Sequence, residues 1–375
     1  MTPDTAVIAP LPIPRSLDSS DPDAAGFISA VELINQSLRA IWGNDDFRDA
    51  PATQLAGFRP SMMRRRILLG ARIGDELVGV ATLKLPLLDN THSAWVHVAV
   101  TPSFQRSGLG NRLYAAVEQA AAADGRLTLL GETDHPVRPE AETGEVITPK
   151  SGIGAIPADS AARFTADRNF DLEQVERVSL LELTGAADWQ GLLATATAAS
   201  GTDYALEFWQ GACPEHLVDA YALLRQKMST DAPMAGLDLE EEQWDAERIR
   251  EGERKVREMD AEELVSAVRH IPTGQLAGHS VLMVFNSNPS VAFQDDTLVL
   301  REHRGHRLGM LLKAANLVRM RENLPEASRI WTWNAAENGY MLSINEKLGF
   351  SAVGYSGEWQ KVLQPGATTE AAVSG

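Results

Sequence analysis

Residues 98–110 read VAVTPSFQRSGLG, and residues 297–309 read TLVLREHRGHRLG. In each stretch an apolar run typical of a β-strand passes through a short polar loop into apolar residues at helical spacing. Glycines in both loops let the backbone approach a ligand without obstruction by a Cβ atom. A loop that opens a helix also presents free backbone N–H groups and the positive end of the helix dipole. The sequence therefore predicts one phosphate-binding loop in each half of the chain.

The elements predicted around the two loops recur in the same order, which indicates two copies of one domain. With 375 residues, the chain is long enough for two separate cores. We expect loose tails at residues 1–22 and 365–375, a first domain at 23–190 and a second at 200–364. Apolar spacing predicts helices at 24–41, 206–228, 238–268 and 308–320, a hairpin at 67–85, and strands at 94–100, 275–285 and 293–300.

Composition and charge exclude several classes of function. The net charge of -17 repels polyanions and no basic face offsets it, so we expect no nucleic-acid partner and a weak preference for an amine-bearing acceptor. A single cysteine, Cys213, excludes an intrachain disulfide and a thiolate metal cluster. We expect no signal peptide, because the first residues lack its basic and apolar regions, and no apolar run is near the roughly 20 residues that span a bilayer. We therefore expect a cytoplasmic protein without a membrane partner, either a monomer or a homodimer.

The first loop resembles motif A of the GNAT (GCN5-related) N-acetyltransferase family, which reads Gln/Arg-x-x-Gly-x-Gly/Ala between a strand and a helix. Gln105, Gly108 and Gly110 match this motif. The second loop keeps the first and last of these positions, but Arg307 stands at the middle glycine. A solvated basic loop is the competing interpretation of the second stretch.

Two further stretches resemble motif B of the same family. Residues 333–350 end in Leu-Gly-Phe, and residues 161–170 are a degenerate copy of that ending. The chain thus resembles a tandem GNAT protein with the layout of the actinobacterial mycothiol-synthase-like proteins. The resemblance implies an α/β (α+β) fold in which each domain has a mixed, splayed central sheet flanked by helices.

The same resemblance implies an N-acetyltransferase that moves an acetyl group from acetyl-CoA directly to a primary amine of a small molecule, without a metal. The alternatives are a catalytically worn acyl-CoA-binding or scaffold protein, and an antibiotic-modifying or aminoacyl-transferring enzyme on the same fold. The resemblance places these residues at the CoA: Val98, Val100, Gln105, Arg106, Ser107, Gly108, Leu109, Gly110 and Asn111 in the first half, and Thr297, Val299, Arg304, Gly305, His306, Arg307, Leu308, Gly309 and Asn338 in the second.

The candidate catalytic residues are His97, Asp296 and Asn345. The family often has a carboxylate base on the strand before motif A, where this chain offers His97 and Asp296. The family also often has a tyrosine acid on the motif B helix. This chain has Thr165 and Asn345 at those positions, and neither is a competent acid. The sequence leaves open whether one half or both halves are active.

Two aspartates lie in the segment where the family usually forms the acceptor wall. Asp231 and Asp238 are therefore candidates to bind the amine, although loop solvation explains them as well. His303 and His306 have no further ligand cluster around them in the sequence, so we predict no metal site.

Overall fold

The computed structural model describes residues 5–137, 144–184, 188–231 and 233–363. The first half contains β1 (Val7–Pro10), α1 (Ala24–Trp42), α2 (Pro51–Phe58), β2 (Arg64–Ile73), β3 (Glu76–Pro86), β4 (Ser93–Val100), α3 (Leu109–Ala123), β5 (Thr128–Pro136), β6 (Val146–Ile147), β7 (Ile156–Pro157), α4 (Ser160–Ala166) and β8 (Asp171–Glu182). The second half contains α5 (Trp189–Ser200), β9 (Tyr204–Gln210), α6 (Val218–Asp231), α7 (Ala246–Glu258), β10 (Ala261–His270), β11 (Leu276–Phe285), β12 (Val291–Val299), α8 (Leu308–Asn323), β13 (Arg329–Ala335), α9 (Gly339–Leu348) and β14 (Ser351–Val362).

The two halves repeat one order of elements. Once the short pair β6–β7 and helix α5 are set aside, each half runs strand, two helices, three strands, helix, strand, helix, strand. Helix α5 lies in the segment predicted to separate the domains and packs against α8 in one apolar cluster. The mixed α/β architecture confirms the predicted fold class, whereas the domain limits at residues 190 and 200 stay a prediction.

The halves share one continuous sheet of 12 strands, in the order β1-β2-β3-β4-β5-β14-β8-β13-β12-β11-β10-β9. Strand β14, from the second half, pairs antiparallel with β5 and β8 of the first half. Strand β8, from the first half, pairs with β13 of the second. Each half therefore completes the sheet of the other with its final strand.

The sheet opens at two places, one in each half. Strands β4 and β5 pair in parallel only from Ser93 to Trp95 and then separate. Strands β12 and β13 likewise pair only from Val291 to Phe293. Both gaps lie directly before a predicted phosphate-binding loop, so the splayed sheet is present twice.

Parts of the predicted organisation are wrong. The first tail is not loose over its described residues, because β1 pairs with β2 and Ala6 is buried. The helix predicted at 238–268 ends at Glu258, where Asp260 adopts a positive φ of 53° and the chain continues as β10. Likewise, residues 204–210 form strand β9 rather than the start of a helix, because pairing with β10 overrides local helical spacing. Residues 1–4 and the second tail lie outside the described residues.

Across the described ranges, no helix has the length and apolar character needed to cross a membrane.

Candidate functional site

The two loops have the same backbone conformation although their sequences differ. In the first, Arg106 and Gly108 have positive φ angles of 61° and 86°. In the second, the same two positions are Gly305 and Arg307, with φ angles of 93° and 56°. Each loop thus holds one non-glycine residue in the left-handed region, which is uncommon. Arg307 therefore does not alter the path of the loop, even though it replaces the middle glycine of the motif.

Both loops present a run of free backbone donors. The N–H groups of residues 106–111 and of residues 305–310 have no hydrogen-bond acceptor among the residues that the structure describes. These groups belong to the loop and to the first turn of α3 or α8, where the helix dipole is positive. Convergent N–H groups of this kind fit a diphosphate, so the backbone of both loops suits CoA. The side chains of Leu109 and Leu308 are buried in the core, so these two residues contribute only their N–H groups to the run.

The first motif position makes the same contact in both halves. Nε2 of Gln105 donates to the carbonyl oxygen of Val100 at 3.0 Å, and Nε of Arg304 donates to that of Val299 at 3.1 Å. These contacts fasten each loop to the end of the strand that precedes it. Gln105 and Arg304 are therefore equivalent in structure as well as in sequence.

The last motif glycine allows two helices to pack closely. A Cβ atom at Gly110 would lie 3.1 Å from Cε2 of Phe164 on α4, and one at Gly309 would lie 3.0 Å from Cδ1 of Ile344 on α9. Neither glycine has a positive φ angle. Close helix packing, and not backbone conformation, therefore explains why glycine occupies these two positions.

The edges of β4 and β12 present backbone groups to the gaps. The N–H of Thr101 donates to Val78 at 3.1 Å, and the N–H of Leu300 donates to Ala277 at 2.9 Å. Because hydrogen-bonding directions alternate along an antiparallel strand, residues 98 and 100 of β4 and residues 297 and 299 of β12 point their backbone groups toward the gap. This is the place where the pantetheine arm of CoA is expected to lie.

His97 lies on β4, beside the first gap. Its side chain shares a sheet face with Ala99, which packs under Phe27 of α1; we call this the α1 face. The imidazole is exposed to solvent, yet the surrounding protein lowers its pKa by desolvation. It is neutral at pH 7, because its pKa lies below the ordinary 6.5. A neutral imidazole can accept a proton.

Asp296 stands at the corresponding position of β12, where a bulge places it beside Asp295. Nη1 of Arg225 on α6 lies 2.6 Å from Oδ2 of Asp296 and 3.9 Å from Oδ2 of Asp295. Burial, and then the charge of Asp296, raise the pKa of Asp295 to about 7. An internal cation thus occupies the space beside the candidate base of the second half.

The same side of the second half is closely packed. His279 on β11 is fully buried, and both of its ring nitrogens have no partner. Burial lowers its pKa to about 4, so the imidazole is neutral. Its ring lies 5.5 Å from that of Tyr221, which belongs to the apolar cluster under α6. This packing leaves the region around Asp296 less open than the region around His97.

Four carboxyl side chains that the sequence analysis did not single out share the α1 face near the middle of the sheet. Glu132 lies directly opposite Glu358, and Asp134 and Glu176 flank Ser356 on the next rung. Burial and mutual repulsion raise the pKa of Asp134 and of Glu176 to about 7 and that of Glu358 well above its ordinary value. None of the four forms an ion pair with a described residue, and Oε1 of Glu132 accepts a hydrogen bond from the hydroxyl of Ser356 at 2.9 Å. The alternation Glu-Thr-Asp at 132–134 is a sequence signal for Glu132 and Asp134 only, and no local signal marks Glu176 or Glu358.

A model of the GNAT acetyltransferase family matches residues 29–139. The whole chain is similar to a solved tandem GNAT protein from the clavulanic acid biosynthesis pathway, with a TM-score of 0.73, 22% identity and coverage of 96% of this chain and 99% of that one. The chain has the tandem GNAT fold. Its matched region belongs to a family of acyltransferases, and its second half repeats the fold.

Other solved structures share the fold of this chain. A GCN5-related N-acetyltransferase from Sphaerobacter thermophilus has a TM-score of 0.61 and 13% identity, with 98% of each chain covered. A glucosamine N-acetyltransferase region of a fungal multi-domain protein has a TM-score of 0.59 and 11% identity, covering 95% of this chain and 38% of that one. At these identities the likeness concerns the fold alone. No curated protein sequence gives a significant match.

Several predicted site residues have structural contacts instead of a place in a cleft. Asn345 is fully buried, and its Nδ2 donates to Oδ1 of Asn334 at 2.6 Å, which fastens α9 to β13. A buried amide cannot reach a substrate, so the catalytic role predicted for Asn345 is wrong. The hydroxyl of Thr165 donates to Ala161 within α4. Asn338 caps α9, because its Oδ1 accepts from the N–H of Met341 at 3.2 Å.

The two aspartates predicted to bind an amine have other partners. Oδ2 of Asp231 lies 3.1 Å from Nη2 of Arg304, so its charge is balanced by the second loop. Asp238 contacts the first half: its Oδ2 accepts from the hydroxyl of Thr128 at 2.9 Å and lies 3.2 Å from Nε2 of His92. Asp238 therefore fastens the α6–α7 connection to the first half and does not line the cleft of the second.

The histidines of the second loop pack around one tyrosine. The hydroxyl of Tyr204 lies 3.0 Å from Nδ1 of His303, and its ring lies 5.2 Å from those of His270 and His306. Within the described ranges, no group of three potential ligands could hold a metal ion.

Proposed function

We propose that this tandem GNAT protein transfers the acetyl group of acetyl-CoA to a primary amine of a small molecule, and that the first half carries the reaction. The observation that supports this proposal most is the combination of free loop donors and an unpartnered, neutral His97 beside the same gap. Both are needed for acyl transfer, because one grips the donor and the other faces the acceptor.

The chemistry requires one bond to form and one to break. The amine nitrogen bonds to the acyl carbon while the carbon–sulfur bond breaks, so the nitrogen loses a proton and the sulfur gains one. The loop N–H groups bind the diphosphate, and the backbone of Val98 and Val100 orients the arm that carries the thioester. His97 accepts the proton of the amine, directly or through a water molecule. The proton for the sulfur comes from solvent, because Thr165 is not an acid.

We further propose that the second half binds CoA without catalysing transfer. Its loop offers the same run of N–H groups, but Arg225 neutralises Asp296 where a cationic acceptor would bind. On this proposal, residues 23–190 form the catalytic domain and residues 200–364 a donor-binding domain that supports it.

Positions 165 and 345, where the family often has its tyrosine acid, hold threonine and asparagine here, which favours a second candidate, a protein that binds acyl-CoA and does not turn it over. Calorimetry with acetyl-CoA and a CoA-release assay with a panel of amines separate the two. We expect heat on titration and release of CoA. Heat without release of CoA from any amine would favour the binding protein, and the absence of heat would contradict both.

A further inference from the structure

We infer that the acceptor carries two positive charges and that its second charge binds to carboxyl groups supplied by both halves. This inference rests on the proposed acetyl transfer in the first half. The ligand class is a small aliphatic amine with a further ammonium or guanidinium group. We call the binding surface the acid patch and define it as Glu132, Asp134, Glu176 and Glu358.

The acid patch occupies two adjacent rungs across three strands. One rung joins Glu132 on β5, Glu358 on β14 and Gln174 on β8, and the next joins Asp134, Ser356 and Glu176. Directly opposite side chains on neighbouring strands lie about 5 Å apart, and successive side chains on one face about 7 Å apart. Like charges directly opposite each other destabilise a sheet. An arrangement that costs stability in the free protein indicates a role in binding.

Glu358 is the second observation that points to a ligand. Its side chain is only 8% exposed and faces the patch, yet no described residue donates a hydrogen bond to its carboxylate or forms an ion pair with it. Acids of similar burial elsewhere in the chain are paired. Glu173 lies 3.3 Å from Nζ of Lys150, and Glu253 lies 3.0 Å from Nη1 of Arg250. A buried carboxylate without a partner is costly, so Glu358 is held protonated in the free protein, and a bound cation would stabilise its ionised form.

The charged groups around the patch do not satisfy it. Nζ of Lys84, on β3, lies 4.8 Å from the centre of the Trp95 ring, and burial lowers its pKa to about 8. Arg64 and Arg66 on β2 act on Lys84, while Glu337 after β13 adds a further negative charge near Glu176. Lys84 alone does not balance four carboxyl groups, so the acids hold protons in the free protein that a bound cation would displace.

The position of the patch suits an extended acceptor. Trp95 and His97 lie on the α1 face of β4. Trp95 pairs with Leu130 on β5, and Glu132 is the next residue of β5 on the same face. An amine at His97 can thus extend along β5, with its methylene groups beside Trp95 and its second cation over the acids. Glu358 reaches this place only because β14 is inserted beside β5.

The occupant is an organic cation rather than a metal ion. Over the described parts of the chain, the carboxylates do not converge into a group that could hold a metal. Two rungs of spaced carboxyl groups match instead the extended donors of an ammonium or guanidinium group.

The test is calorimetry of the full chain with CoA bound, titrated with putrescine, agmatine and n-butylamine. Glu358→Gln is compared with Glu182→Gln, which removes the same charge from an exposed position at the far end of β8. We expect the dications to bind at least about tenfold more tightly than n-butylamine, and we expect Glu358→Gln to abolish this preference while Glu182→Gln changes it less than about twofold. Because the acids have raised pKa values, binding of a dication should release protons, measured as a dependence of the heat on the ionisation enthalpy of the buffer.

A melting curve separates a binding role from a structural one. Glu358→Gln should raise the melting temperature, because it removes a like-charge pair; a carboxylate with a structural role would lower it. If this variant does not fold, Glu176→Gln takes its place. Equal affinity for monocations and dications, or equal effects of Glu358→Gln and Glu182→Gln, would overturn the inference. If n-butylamine is acetylated at full rate by Glu358→Gln, acetyl transfer stands and the inference fails, whereas absence of heat with acetyl-CoA contradicts the proposed function instead.

Discussion

His97 and Asp296 occupy equivalent places on β4 and β12, and their surroundings differ in one respect. His97 is exposed and has no partner among the described residues, whereas Asp296 lies 2.6 Å from the guanidinium of Arg225. The phosphate-binding loops that follow them are alike in backbone angles and in free N–H groups. The comparison teaches that the two halves kept the same means of gripping a donor but differ in the space left for an acceptor.

The largest effect on turnover should come from replacing one residue of a phosphate-binding loop by glutamate, in each half separately. Ser107 and His306 hold the same position, so Ser107→Glu and His306→Glu each repel a diphosphate from one half. We expect Ser107→Glu to lower turnover about 100-fold and His306→Glu less than about threefold. Calorimetry with CoA should find two sites in the parent and one in each variant.

The control for this comparison is thermal stability. A carboxylate near a helix N-terminus stabilises the helix, so neither variant should melt earlier than the parent. A larger loss of turnover in His306→Glu than in Ser107→Glu would assign the reaction to the second half.

The two candidate bases should respond unequally to neutral replacement. His97→Gln should lower turnover about 100-fold, because it removes the proton acceptor. In the parent, kcat/KM should fall as the pH drops through the pKa of His97, which lies below its ordinary 6.5. That acid limb should be absent in His97→Gln. Asp296→Asn should keep both the turnover and the fall of kcat/KM at low pH. A pH profile of His97→Gln like that of the parent would refute the role of His97.

The ion pair of the second half should matter for stability. Arg225→Met leaves Asp295 and Asp296 without their cation, and we expect the free energy of unfolding to fall by about 2 kcal/mol in urea titrations. Arg39→Met, which breaks the exposed pair between Arg39 and Asp45, is the matched control and should change it by less than about 0.5 kcal/mol. Equal effects of the two variants would mean that Arg225 does not neutralise buried charge.

The smallest effect should be the same in both halves. Gly110→Ala and Gly309→Ala place a methyl group near Phe164 or Ile344, and each should cost about 1 kcal/mol of unfolding free energy. Gly252→Ala, in open space on α7, should instead stabilise by about 0.5 kcal/mol. A stabilised Gly110→Ala would show that α3 and α4 do not need their close contact.

The local features of this fold were predictable and the long-range ones were not. Strand, loop and helix around Gln105 and Arg304 follow from residues near in sequence, so their order and place were predicted. Strands β9 and β10 were interpreted as helix, because only pairing with distant strands makes them extended. The acid patch was missed for the same reason: Glu132 and Glu358 become neighbours only when β14 enters the first half. No spacing rule predicts a contact across such a separation.

The insertion of β14 between β5 and β8 also bears on how the protein forms during translation. Residues 351–362 leave the ribosome long after the first half has emerged, so β5 waits with an unpaired edge while the second half is synthesised. Strand edges that stay unpaired are prone to aggregate. We therefore expect the nascent first half to depend on a chaperone until synthesis reaches its missing strand, and the two halves to reach their native state together and not in succession.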